Sequence, residues 1–254
     1  MEEQGAPHLV VLTGAGMSAE SGIRTFRATD GLWEEHPIEA VATPEGFARD
    51  PERVLRFYNE RREQVRRAEP NAAHRALAEL EKAGIRVSIV TQNIDDLHER
   101  AGSSDVLHLH GEILMARSSV DERLRYPLRQ GGIRMGDLCD KGSQLRPDVV
   151  WFGESVPRYA DACDIVAEAD LLLVVGTSLA VMPAALLLEQ VPLDADAVVI
   201  DPDAHQLAPP GVGRLALPAG EGVPRLVEHW KATGRLEVPD HLLATGLAPS
   251  SDNG

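Results

Sequence analysis

Three short stretches of this sequence carry groups that could act together on a phosphorylated ligand. Leu9-Val10-Val11-Leu12-Thr13-Gly14-Ala15-Gly16-Met17-Ser18-Ala19 is an apolar, β-branched run that ends in Gly-x-Gly-x-x-Ala. It reads as a strand turning tightly into a helix start. Gly14, Ala15 and Gly16 would let the backbone approach a pyrophosphate, and free amides at the helix N-terminus would bind its charge. The same pattern also occurs as a plain connection. Arg24, Thr25, Phe26 and Arg27 follow, keeping two arginines and an aromatic beside the loop. The second stretch, Gln92-Asn93-Ile94-Asp95, comes directly after the β-like run from Val87 to Thr91. In parallel sheets ligands gather beyond the carboxyl ends of strands, so amides and a carboxylate there point to a site. Asn93 and Asp95 could instead cap the next helix. The third stretch, Val106 to Glu112, reads as a short strand ending in a histidine and a glycine. His108 and His110 share a face by period two. Nothing nearby supplies a clear third ligand, so a metal is discounted there.

The elements that must position these groups are bounded by composition. A chain of 254 residues holds one large domain, or a core domain with a smaller one inserted. Asp and Glu number 40 against 25 Lys and Arg, a formal charge of -15. Such a surface argues against nucleic acid as the main partner and would attract basic protein segments, although it also serves plain solubility. Cys139 and Cys163 are the only cysteines, too few for a disulfide framework or a four-cysteine zinc site. Neither a basic-apolar leader nor a run of membrane-spanning length is present, so a cytoplasmic protein without membrane contact is expected.

Along the chain, Ala28 to Pro51 reads as loop, with no β run until about Ile85. A single-domain dehydrogenase would place a second strand there, ending in an acid for the ribose, so hydride transfer is disfavoured. Pro51 to about Ala68 reads as a helix capped by Asp50. Val54, Tyr58, Arg61 and Val65 fall on one face of it, and Arg61 in that stripe either snorkels to solvent or waits in a pocket for an anion. Pro70 to His74 opens a second helix running to about Ala83, with His74 packing or capping. Ile113 to Pro147 is polar and arginine-rich without strong periodicity. Val149-Val150-Trp151-Phe152-Gly153-Glu154 reads as extended, either a plain edge strand or one that pairs with a substrate backbone. Leu171 to Val175 is a buried strand followed by Gly176-Thr177-Ser178 and a helix, and Ala197 to Ile200 is another that ends in Asp201. A last strand near Arg214 to Leu217 and a helix from about Val223 follow, and the final residues are expected to be disordered. The sum is an α/β chain: a Rossmann-type parallel sheet of six short strands flanked by helices.

Four motifs in this order, Gly14 to Arg27, Thr91 to Asp95, His110 to Glu112 and Gly176 to Ser178, resemble the sirtuin family of NAD-dependent protein deacylases, in its bacterial-type form. The resemblance implies a Rossmann-type NAD-binding domain from residues 1–27, 69–112 and 149–234. It places a small lobe in 28–68 and 113–148, with 235–254 as a tail. It implies cleavage of the nicotinamide–ribose bond of NAD and capture by the acyl-lysine carbonyl oxygen, releasing nicotinamide and O-acyl-ADP-ribose. His110 would be the base acting on a ribose hydroxyl, with His108 structural. Asp95 and the backbone of Ile94 would grip the nicotinamide carboxamide, and Asn93 and Gln92 the ribose and a water. Ser18, Arg24 and Ser178 would meet the phosphates, with Ala19, Thr25, Arg27, Gly176 and Thr177 in the same cofactor site, and Phe26 would wall it. Asp201, where the family commonly has Asn, would accept from ribose hydroxyls, and Ala219 would lie against adenine. Val149, Trp151, Phe152, Gly153 and Glu154 would flank the acyl-lysine peptide. The spacing Tyr58-x-x-Arg61 is similar to that of the subclass removing succinyl and malonyl groups. The family's zinc cysteines are replaced by Ser118, Asp121, Leu138 and Lys141, with Cys139 off register by one, so zinc is not expected and a small, loosely held module is. A monomer acting on acyl-lysine proteins is expected. Within the enzymes an NAD hydrolase or ADP-ribosyltransferase would share the NAD motifs, and outside them a non-catalytic NAD or ADP-ribose sensor would.

Overall fold

A computed structural model describes residues 7–24, 32–33 and 36–243. The chain runs β1 (His8–Thr13), α1 (Ala15–Ala19), β2 (Leu32–Trp33), β3 (His36–Pro37), α2 (Ile38–Val41), α3 (Pro44–Arg49), α4 (Pro51–Arg67) and α5 (Ala72–Lys82). It continues with β4 (Arg86–Thr91), α6 (Leu97–Ala101), β5 (Val106–His108), β6 (Gly111–Ser118), β7 (Arg125–Pro127), β8 (Leu145–Val149) and α7 (Tyr159–Val166). Last come β9 (Leu171–Val175), a 3-10 helix (Ala184–Gln190), β10 (Asp196–Ile200), α8 (Ala204–Leu207), β11 (Gly213–Leu215), α9 (Ala219–Thr233) and α10 (Asp240–Leu243).

The main sheet has six strands in the order β11-β10-β9-β1-β4-β5, and every pairing is parallel. Strands covered on both faces carry near-continuous apolar runs, and β1 and β9 are buried along their whole lengths. Period two then sorts each strand between two cores. Leu9 and Val11 of β1 join Leu77, Leu226 and Trp230 of α5 and α9. Val10 and Leu12 join Val166 of α7 and Leu187 of the 3-10 helix. The expected α/β sheet is therefore the observed one.

Two segments outside the main sheet depart from the sequence reading. Between residues 32 and 49 the chain makes a short antiparallel pair, β2-β3, and two short helices rather than loop alone. Residues 111–149 form a three-stranded antiparallel sheet, β7-β6-β8, instead of an aperiodic segment. Ala116 of β6 packs with Ile133 and with Leu55 of α4. The rest is joined by ion pairs such as Arg125 to Glu112 at 2.6 Å, which leave no hydrophobic period to read.

α4 starts as expected, with the Asp50 side chain accepting from the Arg53 amide and Pro51 in the first turn. At α5 the Asn71 side chain accepts from the Ala73 and His74 amides, while His74 accepts back from the Asn71 amide, a reciprocal cap. One boundary is corrected. α9 begins at Ala219, not near Val223. Leu236, Val238, Leu242 and Leu243 pack on the core beside α9, so the tail is ordered at least that far. No described helix is long and apolar enough to cross a membrane.

Candidate active site

The β1–α1 turn meets the turn after β9 almost atom to atom. A Cβ on Gly14 would stand 2.6 Å from Thr177 Cβ, and one on Gly16 would stand 2.6 Å from Gly176 Cα. These glycines are therefore required first by the approach of two loops. The Gly14 amide donates to Val175 O at 3.0 Å, Gly16 to Gly176 O at 2.8 Å and Met17 to Gly14 O at 2.9 Å. This corrects the expectation of free amides at a helix start: α1 is a single short turn, and these three amides are already used.

Beyond β4 the chain is pinned on both sides. Thr13 Oγ1 donates to Thr91 Oγ1 at 2.8 Å, and the Asn93 amide donates to that same threonine oxygen at 3.0 Å. Gln92 Nε2 donates to Thr177 Oγ1 at 3.0 Å. Asn93 Nδ2 donates to Gly14 O at 2.9 Å and to Ser18 Oγ at 3.2 Å, and among the described residues nothing donates to its amide oxygen. Asp95 accepts from Ser18 Oγ at 3.0 Å and from the Leu97 amide at 3.1 Å. Burial raises the Asp95 pKa, and those two hydrogen bonds oppose the rise. Asp95 thus holds the first amide of α6 from one residue before the N-cap, Asp96, and stands in the cavity wall.

β5 ends at His108, and Leu109 and His110 form a turn into β6, so the two histidines are not on one continuous strand. They bind consecutive carbonyls instead. His110 Nδ1 lies 3.1 Å from Gln92 O, and His108 Nδ1 lies 3.1 Å from Asn93 O. A carbonyl only accepts, so each Nδ1 carries a proton. His110 is then a neutral imidazole with its lone pair on Nε2; burial lowers its pKa, partly offset by the Gln92 bond. His108 Nε2 faces Glu99 Oε1 at 2.7 Å, so both of its nitrogens donate and it is an imidazolium. Burial opposes that charge, but Glu99 and the Asn93 carbonyl outweigh burial and raise its pKa.

A cavity of about 660 Å³ gathers these groups. Gly14, Ala15, Gly16, Ser18 and Arg24 line it, as do Gln92 to Asp95 and His110. Gly176, Thr177, Ser178 and Asp201 line it too, the first two against Gly14 and Gly16, and so do Val149 to Glu154 and Tyr58. Among the described residues that line it, Ala19, Arg61 and Ala219 are absent; Ala219 is buried in the core beside β10. Thr25, Phe26 and Arg27 lie outside the described residues. Sequence reasoning missed Trp33, Ala42, Met182 and Pro183, all of which face the cavity. An isolated tryptophan in a polar stretch was the one readable signal for them.

The Val149 to Glu154 wall is a turn rather than an extended strand. β8 stops at Val149, and Glu154 N donates to Trp151 O at 3.0 Å around Gly153, whose φ is +88°. On α4, Tyr58 is fully buried and accepts from Trp151 Nε1 at 2.9 Å. The Arg61 side chain is 11% exposed, its Nη2 is 3.6 Å from Glu60, and its guanidinium carbon sits 4.7 Å from the Phe57 ring centre. The arginine that goes deepest is Arg62, with Nε donating to Ile113 O at 2.7 Å.

The chain matches the Sir2 family over residues 14–183. It belongs to the Sir2 family. It is 55% identical over 197 residues to the NAD-dependent protein deacylase of Helicobacter pylori, covering 78% of this chain and 85% of that one. It is 49% identical over 227 residues to the NAD-dependent protein deacylase of Bacteroides thetaiotaomicron, covering 86% and 96%. Among solved structures, a Sir2 homologue in complex with NAD matches with a TM-score of 0.80 and 44% identity, over 90% of this chain and 91% of that one. A mutant Sir2 homologue in complex with ADP-ribose matches with a TM-score of 0.81 and 41% identity, over 94% and 100%. The resemblance read from the four motifs is thus the chain's family, and the parallel sheet is that of its Sir2 neighbours.

The four positions that would hold the family's zinc do not offer it a ligand set. Asp121 and Lys141 form an ion pair at 2.7 Å, and Leu138 is 56% exposed. Ser118 instead bonds Ser143 at 3.0 Å and takes a hydrogen bond from Cys139 Sγ at 3.2 Å. No thiolate stands at any of the four positions, and an ammonium occupies one of them.

Proposed function

We propose that this protein is an NAD-dependent protein lysine deacylase that removes succinyl and malonyl groups as well as acetyl. The observation that carries the reading is a neutral His110, locked through Nδ1 to Gln92 O, in the wall of a cavity it shares with Asn93 and Asp95. Bound NAD would supply an electrophilic ribose carbon once nicotinamide departs. The residues present suit it: the Asn93 amide oxygen and the His110 Nε2 are both unspent acceptors, and Arg24 gives charge for the phosphates. His110 Nε2 takes a proton from a ribose hydroxyl. Asp95, with Ile94 beside it, holds the carboxamide, and Gln92 and Asn93 fix the ribose and a water. Ser18, Ser178 and Thr177 stand at the phosphates with Gly176, and Asp201 accepts from the far ribose. Trp151, Phe152, Gly153 and Glu154, with Val149, support the acyl-lysine peptide, and Tyr58 and Arg61 meet the acyl group.

The division into an NAD-binding domain and a small lobe belongs to the same reading; its support is that the six-stranded and three-stranded sheets are separate. The reading is of a monomeric, cytoplasmic enzyme that folds without zinc and binds no nucleic acid, with basic segments of proteins attracted to the -15 charge. Incubation with NAD and a panel of acyl-lysine peptides, followed by mass spectrometry, tests it. Nicotinamide, free lysine peptide and O-acyl-ADP-ribose are expected in equal amounts. Free ADP-ribose without deacylated peptide would instead support an NAD hydrolase.

A further inference from the structure

Trp151 and Tyr58 reach the acyl side of the cavity from different lobes of the sequence and meet there. The indole Nε1 donates to the phenolic oxygen at 2.9 Å, across 93 positions of chain. Both residues line the cavity. An indole N–H can only donate, so it fills one lone pair of the Tyr58 oxygen and cannot take the phenolic proton. Tyr58 is fully buried, and among the described residues no acceptor stands within hydrogen-bonding distance of that proton. A buried donor left without an acceptor is costly. The proton is available to an acceptor that enters the cavity and displaces the groups now covering Tyr58. Burial raises the pKa of Tyr58, so the hydroxyl keeps its proton throughout the working range.

The indole is itself fixed. The Arg146 guanidinium carbon lies 3.3 Å from the Trp151 ring centre. Arg146 is held in turn by Glu154, at 2.6 Å through Nη1 and 3.1 Å through Nη2, and by Val149 O at 2.9 Å. The Trp151 amide also donates to Glu154 Oε2 at 2.8 Å. A cation against an indole face draws electron density from the ring and makes its N–H the stronger donor. One carboxylate thus holds both the backbone and the stacking partner of Trp151.

We propose that Trp151 is a specificity-determining positioning residue, whose indole N–H turns the Tyr58 hydroxyl so that its proton meets the terminal carboxylate of a succinyl or malonyl group. The proposal rests on the acidic-acyl reading given above. An acetyl group has no distal acceptor, so it draws nothing from this alignment. A free phenol would share its proton among several directions, and the acidic acyl group would lose most of the advantage.

The test is the ratio of kcat/KM for succinyl-lysine to that for acetyl-lysine peptide in wild type, Tyr58→Phe, Trp151→Phe and the double variant. Tyr58→Phe and Trp151→Phe should each lower the ratio by about tenfold, mostly through KM, and the double variant no further than Tyr58→Phe alone. Should Trp151→Phe not fold, 3-benzothienylalanine at position 151 keeps the bicyclic shape and removes only the N–H, and the same fall is expected. A ratio that survives loss of the N–H while Tyr58→Phe lowers it overturns the role of Trp151 and leaves the acidic-acyl reading standing. So does a double variant whose loss is the product of the two single losses. A wild type without preference for succinyl overturns that reading and this proposal together.

Discussion

Nδ1 of His110 lies 3.1 Å from the main-chain oxygen of Gln92, which fixes Nε2 as the basic nitrogen of a neutral ring. His110→Ala should lower turnover by ~10²-fold or more while NAD still binds by calorimetry. Product formation at the wild-type rate would exclude His110 as the base.

Burial lowers the His110 pKa below 6.5, so the ring stays neutral further into acid than a free imidazole. The acid limb of kcat/KM should therefore be centred below pH 6.5, the ordinary value for the group. A limb centred above it would place another group, or a charged His110, in control.

Stability should carry a separate acid dependence. The rings of His74 and His98 meet at 4.7 Å deep in the fold. Burial lowers His74 from 6.5 to about 4 and pushes His98 well below 6.5. Below pH 6.5 the unfolded chain therefore binds more protons than the folded one, so their stabilisation is full above that pH and is lost as pH falls toward 4. His108 has the opposite sign: its raised pKa gives stability that is full below 6.5 and fades as pH rises through the folded value. Burial lowers His8 and His110 as well, so four histidines stand against one and Tm should decline from pH 6.5 toward 4. His74→Gln should flatten that decline, and an unchanged slope would assign it elsewhere.

How much could be read from the sequence follows from what holds each element. β1 and β9 were plain because both faces are buried, and α4 and α5 because Asp50 and Asn71 cap them in the expected way. The start of α9 was hidden by Gly220 and Gly222. A Cβ at Gly222 would come within 2.6 Å of Ile200 Cγ2, so a residue that looks like a helix breaker is what lets the helix pack on β10. The Trp151 turn was hidden because Val-Val-Trp-Phe is also a good strand sequence. On α4 the apolar stripe picked out Arg61, yet Arg62 is the one fully enclosed, held by a carbonyl of β6 that no local pattern encodes.

The three-stranded sheet and its loops give a prediction about metal. Asp121 and Lys141, at two of the family's ligand positions, are paired at 2.7 Å, and Asp121 also meets Arg123 at 2.9 Å. Purified protein should contain well under one zinc per chain, and a chelator should leave its Tm unchanged. Lys141→Met should lower Tm in dilute buffer and less so at ~1 M salt, where exposed charges are screened. Stoichiometric zinc by elemental analysis would refute the reading.

Arg61 should decide the acyl group. It follows Tyr58 by one turn on the same side of α4, its side chain is only 11% exposed, and its guanidinium rests 4.7 Å from the Phe57 ring centre. That exposure disfavours an arginine that simply snorkels to water. Since Arg61 is not among the described residues lining the cavity, engagement of a carboxylate requires its guanidinium to swing from Phe57 toward Tyr58. A charge-assisted bond in a partly desolvated site contributes roughly 1.5–3 kcal/mol, which at about 1.4 kcal/mol per decade is one to two orders of magnitude in efficiency. Succinyl- and malonyl-lysine should be preferred over acetyl-lysine by that factor. Arg61→Met should erase the preference through KM and retain some deacetylation, because His110 and Asn93 line the cavity and Arg61 is not among the described residues that do. The measurement is the succinyl-to-acetyl ratio in both proteins. A ratio that Arg61→Met leaves untouched means that the guanidinium stays on Phe57 and takes no part in choosing the acyl group.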